Sequence, residues 1–251
     1  MISVDKLNVQ DINVQDSYDK IAKHFSVTRV FTWKWTDNFI SSLSQSSSCQ
    51  SSSCQSSLSQ SSFVLDIGSG SGRNMNYHGH TIFGIDLSLE QLKQCSTSKS
   101  IIQANMISIP FKKGTFDAII SIASFHHLST IPERHQCLKE MKRVLQPNGK
   151  ILLSVWSINQ PNKTNRKFDK YGDTIVNWNI NKKINKSTNK STNKSTMKGS
   201  DTSPTKVSNL IIPRYYYIFE LSEIKELLEQ YFTIEKYYWD CGNEIFELIN
   251  N

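Results

Sequence analysis

The sequence has few cysteines and no cysteine arrangement that would hold a metal ion or a disulfide framework. Cys49 and Cys54 lie in a serine tract, and Cys95, Cys137 and Cys241 are isolated from one another. No Cys-x-x-Cys or Cys-x-x-His pair occurs, which argues against a zinc module and against a small disulfide-rich secreted fold. We expect a reduced intracellular protein that has no metal site of its own.

The sequence also lacks a long apolar run and an amino-terminal targeting signal. No stretch is long enough to span a bilayer, and the first residues do not join a basic segment to an apolar one. We therefore expect no membrane partner. The cytoplasm is the expected location, with the nucleus as the alternative.

Positive charge is concentrated in one part of the chain. The 251 residues carry a net charge of +7, which is basic enough to suggest an anionic partner. The excess lies mainly in residues 163–206, whereas residues 220–251 are acidic. A polyanion is therefore suggested by one segment rather than by the whole surface.

Two low-complexity tracts interrupt the sequence. Residues 41–62 are almost entirely Ser and Gln, and residues 159–209 are polar and basic, with an Asn-Lys-Ser-Thr repeat. Neither tract can bury enough apolar surface to offset the entropy of ordering it. We interpret them as disordered loops within one domain over residues 17–251, which follows a flexible segment at residues 1–16.

The most informative motif is an apolar run that leads through an acid into alternating glycines. Residues 63–67 favour a buried strand that contains Asp66, and Gly68, Gly70 and Gly72 follow. Glycines at such a turn let a ligand approach the backbone, because no Cβ stands in the way. The spacing differs from that of the dinucleotide fingerprint. The motif predicts a ligand site at the carboxyl end of this strand.

A second acid follows at the spacing expected for a nucleoside site. Asp86 closes the next predicted strand, 20 residues after Asp66. A carboxylate at that place can accept hydrogen bonds from both ribose hydroxyls. Because no pyrophosphate fingerprint accompanies it, we expect a nucleoside ligand without a pyrophosphate.

The remaining pattern predicts alternating strands and helices, and so an α/β fold. Further strands are expected at residues 101–105, 116–122, 150–156, 232–238 and 244–249, and a helix at residues 131–144. Residues 18–25 form an amphipathic helix, and another opens after Trp33 and Trp35. This amino-terminal part either covers a cofactor or docks on the domain through an aromatic face.

These motifs resemble the class I S-adenosylmethionine-dependent methyltransferases. The resemblance implies a Rossmann-like fold with a mostly parallel seven-stranded sheet, a closing antiparallel hairpin and S-adenosylmethionine as cofactor. The cofactor contacts that it implies are Tyr18, Asp66, Gly68, Gly70, Gly72, Asp86, Asn105, Met106 and Ser121. Asn105 stands where the family usually has Asp, and its side-chain oxygen can still accept a hydrogen bond from the adenine amino group.

Other segments resemble the eukaryotic tRNA wobble-uridine carboxymethyluridine methyltransferases. They are residues 18–29, residues 121–123 with His126 and His127, the pair Val155-Trp156, and Arg214-Tyr215-Tyr216. Those enzymes form the methyl ester of 5-carboxymethyluridine at the first anticodon position. They also work with a small zinc-binding activator subunit that pairs along a sheet edge. The resemblance thus implies a tRNA anticodon loop and such a subunit as partners.

The resemblance implies a carboxylate as the acceptor of the methyl group. A carboxylate needs no general base, because its pKa of about 4 leaves it ionised at neutral pH. It has to be held in line with the sulfonium methyl group. We expect Arg29 and Arg214 near that carboxylate or its phosphate, with surface ion pairs as the alternative. We expect Tyr215 to flank the flipped base, with a core position as the alternative. We expect His126 to face the site while His127 packs against the next helix.

Two other functions stay open at this point. A methyltransferase for a small molecule would share the cofactor motifs but would not need Arg29, Arg214 or a partner subunit. The second open function is that of a non-catalytic scaffold protein with the same fold. The intact Asp66 and Asp86 argue against it.

Overall fold

The structure is a computed structural model that describes residues 9–43, 61–96, 99–164, 166–180 and 210–251. Within these ranges, no helix combines the length and the apolar character that a membrane crossing requires.

The described residues form nine strands and five α-helices. The strands are β1 (Ser62–Ile67), β2 (His80–Asp86), β3 (Ser100–Gln103), β4 (Phe116–Ile122), β5 (Leu145–Trp156), β6 (Gly172–Ile180), β7 (Leu210–Ile218), β8 (Thr233–Asp240) and β9 (Asn243–Ile249). The helices are α1 (Val14–Thr28), α2 (Lys34–Leu43), α3 (Leu89–Leu92), α4 (Ile131–Val144) and α5 (Leu221–Glu229). Short 3₁₀ turns lie at Val9–Asp11, Arg73–Met75 and Phe125–His127.

Seven strands form one sheet in the order β3-β2-β1-β4-β5-β9-β8. Strands β1 to β5 pair in parallel, and β9 runs antiparallel between β5 and β8. Because the chain winds from β1 to β2 and β3 on one side and to β4 on the other, the carboxyl ends of β1 and β4 meet at a topological switch point. The predicted fold, mostly parallel with a closing hairpin, is confirmed.

The central strands are continuous apolar runs because both faces of the sheet are covered. On one face, α4 and α5 pack through Leu138 and Leu228 in the same core as Leu65. On the other face, α2 packs through Phe39 in the same core as Val64. Helix α2 is therefore a docking helix with an aromatic face, which is one of the two roles expected for the amino-terminal helices.

A capping box fixes the start of α4. The Thr130 hydroxyl accepts the Glu133 backbone N–H, and the Glu133 carboxylate accepts the Thr130 backbone N–H at 3.0 Å. Pro132 lies in the first turn, where its missing N–H costs nothing. The capping box therefore fixes the residue at which the loop after β4 ends and α4 begins.

The flexible segment predicted at residues 1–16 is ordered in its second half. Val9–Asp11 forms a 3₁₀ turn, and α1 begins at Val14, where the Asn13 side chain accepts the Asp16 backbone N–H at 3.1 Å. The predicted loop 41–62 is shorter than expected, because α2 ends at Leu43 and β1 starts at Ser62.

The largest correction concerns residues 159–209, which we expected to be a disordered insertion. Strand β6 lies within this tract and pairs antiparallel with β7 as a separate two-stranded sheet. Half-buried Val176, Trp178 and Ile180 alternate with exposed Asn177 and Asn179, because only one face of this ribbon packs on the domain. The rest of the loop predictions, on residues 1–8, 44–60 and 181–209, lies outside the described residues.

Candidate active site

A pocket of about 590 Å³ lies at the carboxyl ends of β1, β2 and β4. Its size is that of a site for a small ligand. One side, here called the cofactor wall, comes from segments 67–74, 85–87 and 104–106. On the other side, Tyr18, Phe25, Arg29, His127, Trp156 and Tyr216 line the pocket. Arg214 and Trp178 pack against these rings, and the eight residues together are here called the acceptor wall. Within the described residues, no cluster of His, Cys, Asp and Glu is arranged to hold a metal ion.

The turn after β1 presents backbone to the pocket. Gly68 has a φ of +74°, and a Cβ at this residue would lie 2.4 Å from the Ser124 Cβ, so only glycine fits. The Ser124 hydroxyl donates to the Ile67 carbonyl at 2.8 Å and lies 2.8 Å from the Ser121 hydroxyl. These contacts tie the ends of β1 and β4 together behind the pocket.

Asp86 shapes the same turn and keeps acceptor capacity for a ligand. Its Oδ2 accepts the Gly70 N–H at 2.8 Å, and its Oδ1 accepts the Ser88 N–H at 2.9 Å. Burial raises the pKa of Asp86, and these two N–H groups act against the rise. Each carboxylate oxygen has a further lone pair, so both ribose hydroxyls can be bound at this position.

Buried polar atoms without partners surround the turn. Both Asp66 oxygens, the Ser69 hydroxyl and the Gln91 side-chain oxygen meet hydrogen-bond geometry with none of the described residues. Burial raises the pKa of Asp66 to about 7, against the opposing charge of Arg73. Unsatisfied buried acceptors are costly. A ligand that brings ammonium and hydroxyl donors would satisfy them, as S-adenosylmethionine does, so the residues present fit this cofactor.

The predicted cofactor contacts divide into lining and supporting residues. Tyr18, Gly68, Gly70, Asp86, Asn105 and Met106 line the pocket. Asp66, Gly72 and Ser121 are buried behind the lining. The Asn105 Oδ1 accepts the Ile107 N–H at 3.1 Å, which leaves a second lone pair and both amide hydrogens for an adenine edge.

The acceptor wall is built on stacked aromatic rings. Trp156, at the end of β5, stacks on Tyr216 of β7 with centroids 4.1 Å apart and planes 9° apart. The Tyr18 hydroxyl, from α1, lies 3.1 Å from the Tyr216 hydroxyl. Trp178 of β6 packs on Phe25 of α1 with centroids 5.5 Å apart. Helix α1 therefore covers the pocket, the second role expected for the amino-terminal helices.

Two predicted arginines lie on these rings at different depths. Arg214 is only 4% exposed, and its guanidinium carbon lies 4.8 Å from the Trp178 ring centre and 5.1 Å from that of Tyr216. Arg29 is exposed at the pocket mouth, 5.5 Å from the Trp178 ring centre. Neighbouring protein atoms still remove part of the water around its guanidinium, and this desolvation together with the Arg214 charge lowers the pKa of Arg29. Cation–π contacts position both groups but leave their charges unneutralised.

The ion pairs of the structure lie elsewhere. Those among the described residues are Lys93–Glu90, Arg134–Glu223, Arg143–Glu140 and Lys236–Glu247. Neither Arg29 nor Arg214 belongs to them, and the buried Arg214 Nε has no hydrogen-bond partner within the described ranges. A buried guanidinium without a counterion is unfavourable, so this wall is suited to an anion.

Hydrogen bonds connect Arg214 to the backbone of β7. Arg214 donates to the Tyr216 hydroxyl, which lies near the Tyr18 hydroxyl, and that hydroxyl is 2.9 Å from the His127 Nε2. The His127 Nδ1 must donate to the Tyr215 carbonyl, 2.8 Å away. Burial lowers the pKa of His127 to about 3, so the neutral ring accepts from Tyr18 at Nε2. The phenol protons point inward, away from the ligand side of Arg214.

The structure reverses the expected orientation of the two histidines. His127 lines the pocket, whereas His126 is fully buried. The His126 Nδ1 accepts the Trp156 backbone N–H at 3.0 Å, which joins the turn after β4 to the end of β5. Burial and the neighbouring His127 lower the pKa of His126. His126 therefore supports the acceptor wall from beneath.

Tyr215 also differs from the expectation that it flanks a base. Its ring is 2% exposed, and its hydroxyl donates to the Asp173 carboxylate at 2.8 Å. Its carbonyl fixes His127. This is the core position considered as the alternative, with only an edge reaching the pocket.

The sequence did not identify several residues of the site. Arg73 lines the cofactor wall, and its position directly after Gly72 was the signal that could have found it. Trp156 and Tyr216 lay within the motif segments but without an assigned role. Arg166, whose guanidinium carbon lies 4.3 Å from the Trp156 ring centre, fell in the tract interpreted as a loop. Its only signal was the general positive charge of residues 163–206.

Comparison with known proteins agrees with this geometry. A family profile described as "Methyltransferase domain" matches residues 65–153. A tRNA (carboxymethyluridine(34)-5-O)-methyltransferase of Schizosaccharomyces pombe is 30% identical over 219 residues, which are 86% of this chain and 86% of that protein. The Arabidopsis thaliana protein of the same name is 34% identical over 145 residues, 57% of this chain. The chain spans only 32% of that longer relative.

Solved structures show the same fold at low identity. A SAM-dependent methyltransferase from Aquifex aeolicus has a TM-score of 0.52 and 15% identity, covering 92% of this chain and 97% of that one. The [4+2]-cyclase SpnF has a TM-score of 0.57 and 13% identity, covering 94% of each chain. These likenesses concern the fold alone.

Proposed function

The chain belongs to the family of S-adenosylmethionine-dependent tRNA carboxymethyluridine methyltransferases, and on that premise we propose that it methylates the carboxylate of 5-carboxymethyluridine at the wobble position of tRNA. The observation that supports this acceptor is the pair of unneutralised arginines beside the cofactor wall. Arg214 is nearly inaccessible to solvent, yet among the described residues it has no ion-pair partner.

The cofactor cannot supply the missing negative charge. S-adenosylmethionine carries a sulfonium, an ammonium and a carboxylate at neutral pH, so it adds net positive charge to the pocket. Like charges in a partly buried site destabilise one another. A carboxylate acceptor brings the opposite charge and matches the two parallel N–H donors of Arg214. A neutral small molecule would leave that charge unpaired.

In this proposal the protein positions the acceptor and removes no proton from it. When bound, S-adenosylmethionine supplies an electrophilic methyl group. Arg214 holds the carboxylate so that the remaining lone pair of one oxygen faces that methyl group, and the stacked Trp156 and Tyr216 exclude water. His127 keeps Tyr18 and Tyr216 oriented and does not act as a base, because its Nε2 lone pair is already occupied.

We propose a partner at the cofactor wall for each part of the cofactor. Asp86 would hold the ribose hydroxyls, and Asn105 the adenine amino group. Asp66 and Gln91, with their unpartnered oxygens, would accept from the ammonium group directly or through water. Arg73, which lines the same wall, would take the methionine carboxylate.

We further propose that a small zinc-binding activator subunit pairs with β3. This strand is at the end of the sheet, and its outer edge is unpaired among the described residues. Ile102 is 38% exposed, and Leu87 and Leu89 beside it are 36% and 43% exposed. A strand from a partner would complete the hydrogen-bond ladder and cover these side chains. Co-purification from the native source would test this association.

Mass spectrometry of tRNA nucleosides after deletion of the gene tests the proposed reaction. We expect 5-carboxymethyluridine to accumulate and its methyl ester to disappear, with recovery on return of the wild-type gene. Return of an Asp86→Ala variant should give no recovery. Unchanged tRNA nucleosides together with a changed small metabolite would contradict the proposal and favour a small-molecule methyltransferase.

A further inference from the structure

The acceptor wall carries more positive charge than one carboxylate can neutralise. Besides Arg29 and Arg214, a third arginine, Arg166, lies 4.3 Å from the Trp156 ring centre. Tyr216 occupies the other face of that ring at 4.1 Å, so Arg166 must cap the outer face. Arg166 therefore ends a stack of Tyr216, Trp156 and guanidinium that leads from the pocket toward solvent.

No acid in the described part of the chain forms an ion pair with Arg166. Arg166 and Arg214 lie 4.3 and 6.0 Å from the Trp156 ring centre, and Arg29 and Arg214 lie 5.5 and 4.8 Å from that of Trp178. In agreement with this clustering, burial and the charges of Arg29 and Arg214 lower the pKa of Arg166. Stacking on Trp156 fixes the Arg166 guanidinium in place but provides no negative charge. A second anion, besides the carboxylate, would therefore stabilise this arrangement.

The three arginines lie at different depths, so they define a deep anion position and an outer one. Arg214 is buried at 4% exposure, whereas Arg166 is half-buried and Arg29 is exposed. The deep position suits a carboxylate that has to lose water before it reacts. The outer position suits an anion that stays partly hydrated, and a phosphodiester has two free oxygens that match the guanidinium fork.

The segment that carries Arg166 favours a polyanion over a single small anion. Lys163, Lys167 and Lys170 are exposed on it, against the single acid Asp169 between residues 163 and 170. Exposed lysines clustered in sequence around an arginine that stacks on a pocket-lining ring are the electrostatic pattern of a nucleic-acid backbone contact.

We propose that Arg166 binds a backbone phosphate of the RNA adjacent to the methylated nucleotide, while Arg214 holds the carboxylate. This assignment rests on the proposed function, because that function places RNA at the pocket mouth. It makes Arg166 a residue for RNA affinity, whereas Arg214 acts on the reacting group.

The test is a titration of anticodon stem–loop RNA with unmodified uridine at the wobble position, at several salt concentrations. It uses the full chain together with any subunit that co-purifies. Arg166→Gln removes the charge and keeps a polar, unbranched side chain. We expect RNA affinity to fall about three- to tenfold and the slope of log K against log salt to fall by about 0.7, the value for one phosphate on a single strand. Arg166→Lys should restore the slope.

Two controls accompany the titration. Lys139→Gln removes one charge from an exposed position on α4 and should leave RNA binding and the slope within error of the wild type. The affinity of Arg166→Gln for S-adenosylmethionine should also be unchanged, because Arg166 does not line the cofactor wall.

The outcomes separate this inference from the proposed function. If Arg166→Gln binds RNA with the affinity and slope of the wild type, the phosphate assignment is wrong and the proposed function stands. If RNA binding is unchanged but turnover at saturating RNA is lost, Arg166 acts on the carboxylate, and the assignment is again wrong. If the wild-type protein binds no anticodon RNA, the inference and the proposed function are both wrong.

Discussion

The Asp86 carboxylate accepts two backbone N–H groups at 2.8 and 2.9 Å. The Arg214 guanidinium instead contacts phenol hydroxyls and the aromatic rings that line the other side of the pocket. The cofactor wall is made of acids and main chain at the ends of neighbouring parallel strands. The acceptor wall is made of cations on rings that come from α1, β5 and the β6–β7 ribbon. Within the described part of the chain, the cofactor wall has hydrogen-bond acceptors without donors, and the acceptor wall has cations without anions. Each wall therefore lacks the partner groups that its ligand would supply.

Substitutions in the two walls should affect different steps, cofactor binding in one and methyl transfer in the other. Loss of Asp86 from the cofactor wall should strongly weaken cofactor binding, since the two oxygens that orient the turn are lost together with the ribose contact. Loss of an arginine from the acceptor wall should leave cofactor binding intact, because repulsion between like charges falls there. The two walls can therefore be separated by measuring cofactor affinity and methyl transfer on the same variants.

The largest effect is expected from Asp86→Ala. The substitution removes the acceptors of Gly70 and Ser88 N–H together with the ribose contact, and each charge-assisted hydrogen bond contributes about 1.5–3 kcal/mol. We expect affinity for S-adenosylmethionine to fall at least about 100-fold in calorimetry. Asp117→Ala is the matched control, since Asp117 also accepts a backbone N–H, from Phe63 at 2.8 Å, but lines a different groove. Undiminished affinity of the Asp86 variant would contradict the ribose assignment.

A smaller effect, limited to transfer, is expected from Arg214→Gln. The variant loses the paired donors for the carboxylate, so we expect methyl transfer to anticodon RNA to fall about 100-fold, with cofactor affinity within about twofold of the wild type. Arg214→Lys retains the charge without the planar fork and should lie between the two. Thermal melting of all three proteins checks that the buried site still folds. Equal losses of cofactor affinity and transfer would show that the two walls do not act separately.

The two walls also differ in how much of their structure can be predicted from the sequence. The cofactor wall depends on short-range features: a glycine turn with positive φ at Gly68 and an acid that ends the next strand. The parallel register then brings these features together without further information, so the fold was predicted correctly from local pattern. The structure also places Asp86 and most of the predicted cofactor contacts at the pocket, where their roles stay predictions.

The acceptor wall depends on contacts between distant elements. Strand β6 was missed because a ribbon with one covered face shows apolar residues only at alternate positions, and here they lie among Asn residues. The order of His126 and His127 was wrong because it is set by the Trp156 N–H, which no local pattern reveals. Arg166 was missed for the same reason, since its position follows from stacking on Trp156.

The smallest effect is a pH dependence of cofactor binding, which we assign to Asp66 directly behind the cofactor wall. Burial raises the pKa of Asp66 to about 7, above its value of 3.8 in an unfolded chain. The folded protein therefore holds a proton that the unfolded chain loses, so the stability from this group is greatest at low pH and falls as pH rises towards 7. Cofactor binding has the opposite requirement, because an ammonium group favours the ionised carboxylate. We expect affinity for S-adenosylmethionine to rise up to about tenfold from pH 6 to pH 8, with proton release on binding at pH 6. Calorimetry in two buffers of different ionisation enthalpy measures that release. Asp66→Asn should bind more weakly and without pH dependence, and an unchanged pH dependence in this variant would assign the titration to another group.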